Sequence, residues 1–225
     1  MDKAFDPIQK APTHHPPGEL LIDYAAGSAS EAEALMMAVH LDACPECRRS
    51  VDLALAVGGA LLDSIAPARP SPSLFQRTLQ AIDATPVETD VSARPVPAMA
   101  ANWPAPLRAH LARKPTGVWR HLPAGFRALR IPAADAGRLW IMKAPGGRGP
   151  LRHRHVSDEW TVVLEGGFTD ETGTYAAGDF AYMGEGDEHT MVAERGEGCV
   201  CLLLMREQPR YLTLVGKLLA PLLRL

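Results

Sequence analysis

The chain has few cysteines, no long apolar run and little positive charge in its first third. Its four cysteines form two close pairs, Cys44 with Cys47 and Cys199 with Cys201. No stretch reaches the roughly 18 uncharged apolar residues that span a bilayer, and the first 19 residues contain no apolar leader segment. We therefore expect a cytoplasmic protein without membrane contact, whose cysteines are thiols or metal ligands and not constitutive disulfides.

Positive charge is scarce where a nucleic-acid-binding module would need it. Residues 1–63 contain four basic and ten acidic residues, a net charge of −6 with histidine neutral. Phosphate binding needs clustered Lys and Arg, so we expect no direct contact with nucleic acid. A basic protein partner suits this segment better.

Two kinds of hydrophobic pattern divide the 225 residues, of which 47% are apolar. In residues 1–85, helix starts such as the capping-box pair Ser30 and Glu33 precede apolar residues at helical spacing. Residues 86–106 are rich in Pro and Ala and are typical of an extended linker. In residues 107–225, short alternating runs bounded by glycines indicate antiparallel strands in a barrel or sandwich. The fold class is thus α+β, with three or four helices followed by a β domain.

Two prolines mark further helix starts in the first part. Pro45 and Pro72 each fit the beginning of a helix, where the missing N–H removes no hydrogen bond. The helix after Pro72 carries Phe75, Leu79 and Ile82 on one apolar stripe.

His40, Cys44 and Cys47 form a compact group of metal-binding residue types. His40 and Cys44 are four residues apart, so they project from one helix face, and Cys47 lies in the first turn of the next helix. Tetrahedral zinc takes a fourth N or S ligand, for which His15 or its neighbour His14 is the candidate. The spacing favours a structural zinc site over an ordinary histidine beside two buried thiols.

A second group contains three histidines and a carboxylate. Alternate residues of a strand share a face, so His153 and His155 point to one side, and Glu159 keeps the same parity. His189 follows a tight turn at the start of a later strand. This mixed N/O set suits zinc, iron, manganese or nickel, and it does not choose among them.

Cys199 and Cys201 lie on one predicted strand with the same parity. They are either core residues or a redox-responsive pair, and we favour the core assignment. A reactive thiol needs a lowered pKa and access to solvent, neither of which can be read from the sequence.

The second group lies in a segment that is similar to the first cupin motif. Residues 147–166 read G-x5-H-x-H-x3-E-x6-G and match that motif at every position. The second cupin motif is looser, because Gly184 stands where the family usually has proline and Ala193 where asparagine is usual. These departures leave the candidate ligands intact.

Over almost its whole length the chain resembles the ChrR-type zinc anti-sigma factors. The most specific matches are HHPPGELLIDYAAG, HLDACPECR, EGGFTDET and GDEHTMVAERGEGCVCLL. The resemblance implies a helical zinc-binding anti-sigma domain followed by a cupin-like β-barrel. It implies zinc ligands at His15, His40, Cys44 and Cys47, and cupin metal ligands, with zinc as the favoured metal, at His153, His155, Glu159 and His189.

The resemblance also implies a function. The helical domain would form a heterodimer with a group IV, extracytoplasmic-function type sigma factor and keep it from core RNA polymerase. The cupin-like domain would sense an oxidant such as singlet oxygen and release the sigma factor, so that the chain is a regulator and not an enzyme.

A different class of function is a metal-dependent cupin enzyme, such as a dioxygenase or an isomerase, with the helices as a scaffold. The intact set of three histidines and Glu159 leaves coordination positions open for a substrate. No obvious acid/base partner stands beside these residues, since Asp158, Asp187 and Glu188 are more typical of turns and rims. We therefore keep the enzyme as the second hypothesis.

Overall fold

The computed structural model describes residues 11–85, 100–114, 116–134 and 138–220, without the side chain of Leu219. Its helices are α1 (Gly18–Ala26), α2 (Glu31–Ala43), α3 (Pro45–Asp63), α4 (Leu74–Ala84), α5 (Ala105–Arg113) and α6 (Leu214–Leu219), with a short 3-10 helix at Pro123–Gly125. The predicted helical first part is confirmed. None of the described helices is long and apolar enough to cross a membrane.

Local sequence signals set the ends of the first helices. The Ser30 side chain accepts a hydrogen bond from the Glu33 N–H, and the Glu33 carboxylate accepts one from the Ser30 N–H. Gly27 ends α1 in the left-handed region, with φ 71°, which costs glycine no steric strain. Pro45 is the first residue of α3, and Cys44 alone separates α2 from α3. This sharp joint brings the two helix ends together.

The C-terminal part is an antiparallel β structure, as predicted. The strands are β1 (Arg120–His121), β2 (Arg127–Ile131), β3 (Arg138–Ala144), β4 (His153–Arg154), β5 (Glu159–Thr169), β6 (Thr174–Ala176), β7 (Phe180–Met183), β8 (Glu188–His189), β9 (Val192–Ala193), β10 (Cys199–Met205) and β11 (Arg210–Tyr211). One sheet has the order β1-β2-β3-β10-β5-β6, with β7 and β9 also paired to β5, and a second has the order β11-β4-β8.

The helical and β parts share one apolar core. Met36 and Met37 of α2 belong to the same buried cluster as Ile141 of β3 and Leu202 of β10. Across the junction, the Arg206 guanidinium also forms an ion pair with Glu33 at 2.6 Å. The two parts are therefore packed together in this structure.

The predicted linker at residues 86–106 differs from the structure at its C-terminal end. Trp103 is only 4% exposed, and its indole N–H donates to the Glu165 carboxylate at 2.7 Å. Helix α5 begins at Ala105, whose N–H donates to the Asp42 carboxylate. The proline and alanine content predicted an extended chain, but burial of the Trp103 side chain between the helices and the sheet fixes this end of the segment. Residues 86–99 lie outside the described residues.

Candidate metal centres

The first candidate centre lies where the segment before α1 meets the α2–α3 joint. His15 Nδ1 lies 3.4 Å from both Cys44 Sγ and Cys47 Sγ, and His40 Nε2 lies 3.3 Å from Cys47 Sγ. The four ligand atoms all lie within 4.8 Å of one another. In tetrahedral zinc sites, Zn–N near 2.0 Å and Zn–S near 2.3 Å put N and S about 3.5 Å apart. The donor spacing therefore fits a tetrahedral ion.

Burial explains the chemistry of this group. His40, Cys44 and Cys47 are buried, while His15 is partly exposed at the edge. Burial raises the pKa of the Cys47 thiol to about 12 and lowers the pKa of the His40 imidazole. Burial thus favours the neutral forms of both groups, and a bound cation would displace the proton of Cys47.

His14 does not join this group. Its ring lies against Tyr175, with 4.2 Å between ring centroids, and its Nδ1 lies 3.4 Å from the Asp179 carboxylate. Of the two candidates for the fourth position, the structure therefore places His15 among the cysteines and His14 against the β part.

The second candidate centre is a group of three buried histidines. The Nε2 of His189 lies 3.1 Å from the Nε2 of His153 and 3.2 Å from that of His155. Strand pairing produces this arrangement, because His153 of β4 is directly opposite His189 of β8. All three ligand atoms lie within 4.8 Å of one another.

Hydrogen bonds on the far side of two rings orient them. His189 Nδ1 bonds to Asp170 at 2.9 Å, and His153 Nδ1 bonds to the Leu151 carbonyl at 2.9 Å. A protonated Nδ1 leaves the Nε2 lone pair directed inward, which is the usual arrangement around metal-binding histidines. The sequence argument missed Asp170, because nothing in its spacing links it to His189.

Glu159 lies at the edge of this group. Its carboxylate is 3.7 Å from His155 Nδ1, which is not among the three facing Nε2 atoms. Burial raises the pKa of Glu159 to about 7, and it lowers the pKa of His153 to about 4 and that of His155 to about 3. At neutral pH the imidazoles of His153 and His155 are therefore neutral, and each has one ring nitrogen whose lone pair can bind a cation.

A cavity of about 290 Å³ opens onto the second centre. Apolar side chains such as Phe126, Leu203 and Val215 form much of its wall, and His153, Glu159 and His189 reach it as well. The site can therefore admit a small, largely apolar molecule next to the histidines.

Cys199 and Cys201 also line this cavity and are buried in the apolar core of the sheet. Their sulfur atoms lie 3.2 Å apart. The hydrogen bond that the Cys201 thiol donates to Cys199, together with burial, holds the pKa of Cys201 well above its usual range. This thiol is not activated as a nucleophile.

Comparison with known proteins assigns both parts of the chain. The family described as ChrR Cupin-like domain matches residues 110–208, and a zinc-finger family matches residues 18–48. Anti-sigma-E factor ChrR from Cereibacter sphaeroides is 38% identical over 218 residues, which are 94% of this chain and 98% of that protein.

A solved structure shows the same similarity. The crystal structure of Rhodobacter sphaeroides SigE in complex with the anti-sigma ChrR matches with 36% identity and a TM-score of 0.69. The match covers 85% of this chain and 98% of the chain in that crystal. With a zinc-finger segment at the first donor group and a cupin-like domain around the second, the chain belongs to the ChrR family of anti-sigma factors.

Proposed function

We propose that this chain is a cytoplasmic anti-sigma factor that binds a group IV sigma factor as a heterodimer and keeps it from core RNA polymerase. The relative from Cereibacter sphaeroides is named an anti-sigma-E factor, and the related chain was crystallised with SigE. The division into residues 1–85, 86–106 and 107–225 belongs to the same proposal, with sigma binding in the first part and sensing in the third.

The observation that carries the proposal is a series of exposed apolar side chains along α3, along α4 and between them. We call it the α3–α4 apolar surface, and its members are each at least 40% exposed: Leu53, Leu55, Val57, Leu61, Leu62, Ile65, Leu74, Phe75, Leu79 and Ile82. Helix α4 has no buried residue, and α3 buries only Cys47 and Val51 near its start. Monomeric proteins rarely leave such a surface in water, so it marks a protein interface.

The charge of the first 63 residues favours a basic partner for the helical part. Residues 1–63 carry a net charge of −6 with histidine neutral. A helical part that is acidic before α3 ends and exposes apolar side chains on α3 and α4 suits the basic, polymerase-binding face of a sigma factor, since opposite charges speed association. Duplex DNA would be repelled by the same charge.

A zinc ion held by His15, His40, Cys44 and Cys47 would act as a structural clasp in this mechanism. It would fix the α2–α3 joint, and thereby the direction in which α3 leaves the core. Structural zinc in small modules contributes apparent binding free energies of roughly 10–16 kcal/mol, which is enough to decide whether a helical module is ordered.

The second centre would act in release. His153, His155 and His189, with Glu159 after a small movement of its carboxylate, would hold a second divalent metal, for which we favour zinc. An oxidant such as singlet oxygen would act at or near this site, in the apolar cavity, and the sigma factor would leave. Cys199 and Cys201 lie in the same cavity wall and would at most have a secondary redox role.

The open cavity beside the histidines is the observation that favours the second hypothesis, a metal-dependent cupin enzyme. A metal-dependent oxygenase would contain redox-active iron and would consume oxygen with a small apolar substrate. Metal analysis followed by a substrate screen separates the two functions. Zinc without turnover favours the regulator.

Co-purification tests the proposed function. The full chain is co-expressed with the group IV sigma factors of its own genome and purified through a tag on the chain. We expect one sigma factor in a 1:1 complex, and we expect His40→Ala to lose it. No complex with any of them, or unchanged binding by His40→Ala, would contradict the proposal.

A further inference from the structure

A turn of the cupin-like domain reaches the first metal centre. The Gly178 carbonyl accepts a hydrogen bond from His40 Nδ1–H at 2.8 Å, so that Nε2, which faces Cys47, carries the lone pair. Gly178 has φ 94°, and a Cβ there would lie 2.9 Å from Pro12 and 3.1 Å from Ala43. The carbonyl can approach His40 this closely because the residue has no side chain.

The next two residues of the turn hold the segment that contains His15. The Asp179 carboxylate accepts hydrogen bonds from the N–H groups of Thr13 and His14 at 2.6 and 2.9 Å. The Phe180 N–H donates to the His14 carbonyl at 3.1 Å. Asp179 is only 2% exposed, so these charge-assisted bonds are shielded from water.

A chain of contacts leads from this junction to the second centre. Asp170 bonds to His189 through one carboxylate oxygen at 2.9 Å and accepts from the Thr172 hydroxyl through the other at 2.6 Å. The Thr172 hydroxyl lies 2.7 Å from the Tyr175 hydroxyl, and the Tyr175 ring lies against His14. We call Asp170, Thr172, Tyr175 and His14 the relay.

We propose that the cupin-like domain forms the outer shell of the first metal centre, and that the relay couples the occupancy of the second centre to the first. A metal on His189 Nε2 fixes its ring and strengthens the Nδ1–H bond to Asp170. Loss of that metal frees the ring, loosens the Asp170–Thr172 turn, and shifts Tyr175 against His14, one residue from His15. Outer-shell contacts of this kind change metal affinity by about 10- to 100-fold.

The inference rests on the proposed function only for its biological meaning, which is that the cupin-like domain acts on the part that binds the sigma factor. Its physical content is a coupling between two sites in the same chain. Such coupling needs a measured interaction and not spatial continuity alone. A double-mutant cycle on the full-length chain supplies that measurement.

The test follows cobalt at the first centre, because cobalt bound to Cys44 and Cys47 absorbs through its thiolate bonds and the second centre contains no cysteine ligand. The first centre of the full-length chain is loaded with cobalt, and the rate at which a chelator removes that cobalt is measured. The second centre is filled with metal in the wild-type protein and is emptied by the substitution His153→Ala. We expect emptying to speed cobalt loss about 10-fold. We expect Thr172→Val to abolish that dependence.

Thr174→Val is the matched control, because its hydroxyl bonds to Thr169 in the same hairpin and lies outside the relay. It should retain the 10-fold dependence. The proposal would be overturned if cobalt were lost at the same rate whether the second centre is filled or emptied. It would also be overturned if Thr172→Val and Thr174→Val showed the same dependence of cobalt loss on the second centre. If His153→Ala unfolds the sheet, as near-UV circular dichroism would show, removal of the second metal from wild-type protein by mild chelation replaces it.

No sigma factor is present in this experiment. A failed coupling therefore overturns the relay and leaves the anti-sigma function standing. If the two centres are coupled but the chain binds no sigma factor, the relay stands and the anti-sigma function is overturned.

Discussion

His40 and Gly178 join the helical and cupin-like parts of the chain through a hydrogen bond of 2.8 Å from the imidazole Nδ1–H to the carbonyl oxygen. The donor belongs to the first metal centre, and the acceptor begins the turn that leads into β7. The four donors of the first centre thus all belong to the helical part, and one of them is oriented by a residue of the cupin-like part. This arrangement makes the stability of the clasp sensitive to the cupin-like domain.

Removal of a thiolate at the first centre should abolish both metal and partner binding. Cys44→Ser leaves three donors and a hydroxyl that binds zinc weakly, so we expect the loss of one metal per chain and of the sigma factor. Metal analysis and co-purification measure both effects. Cys199→Ser, a change at a buried cysteine in the sheet, should leave both intact; loss of sigma binding by this control would show that the effect is general unfolding.

A charge in the α3–α4 apolar surface should weaken binding without unfolding the chain. Phe75 is 67% exposed, so Phe75→Asp removes few internal contacts, and the free energy of unfolding should change by no more than about 0.5 kcal/mol. At an interface, burial of the new charge should lower sigma affinity by at least about 10-fold. Binding titration and denaturant unfolding give the two numbers.

Gln76→Asp is the control for that substitution, since it places the same charge on the same exposed helix beside the apolar stripe. It should weaken binding much less than Phe75→Asp. Equal effects of the two substitutions would mean that the net charge of α4, and not its apolar side chains, determines affinity.

Loss of a histidine at the second centre should separate release from binding. His153→Ala removes one of three facing donors, yet it lies away from the α3–α4 apolar surface, so we expect sigma binding within a few-fold of wild type as long as zinc in the buffer keeps the first centre loaded. After exposure to an oxidant, however, the variant complex should remain intact while the wild-type complex dissociates. Gel filtration before and after exposure checks this, and dissociation of both complexes alike would place the sensor elsewhere.

Metal binding at the second centre should depend on pH through Glu159. Its pKa is raised to about 7 by burial, so below pH 7 an incoming metal must displace a proton from the carboxylate. The pKa of His153 is lowered to about 4 by burial, and that histidine releases no proton in this range. Affinity should fall roughly tenfold per pH unit below about 7 and level off above about 8.

The pH dependence can be measured by metal titration between pH 6 and 8, with the first centre already loaded. Glu159→Gln should bind more weakly at pH 8 and should lose the slope below pH 7. A slope that persists in Glu159→Gln would assign the displaced proton to another group.

The sequence predicted those features that depend on neighbours along the chain. The capping box at Ser30 and Glu33, the helix start at Pro45 and the convergence of His40 with Cys44 and Cys47 all follow from spacings of three to seven residues. The pairing of His153 with His189 needed the cupin resemblance, because 36 residues separate them.

The features that escaped prediction are long-range or shared with a partner. Asp179 is 165 residues from His14, and no local pattern connects a turn in the sheet with the segment before α1. Trp103 was predicted to lie in a linker, but its side chain is buried between the two parts and bonds to Glu165. An apolar stripe such as that of Phe75, Leu79 and Ile82 predicts burial, but periodicity cannot say whether the covering surface belongs to the same chain.

The most direct test of the central claim is transcription in vitro from a promoter that depends on the partner sigma factor. The full-length, metal-loaded chain is titrated into sigma factor before core RNA polymerase is added, in parallel with Phe75→Asp and Gln76→Asp. The anti-sigma function predicts that transcripts disappear at one chain per sigma factor, that Gln76→Asp behaves in the same way, and that Phe75→Asp requires a large excess. Undiminished transcription at a several-fold excess of the wild-type chain would contradict it.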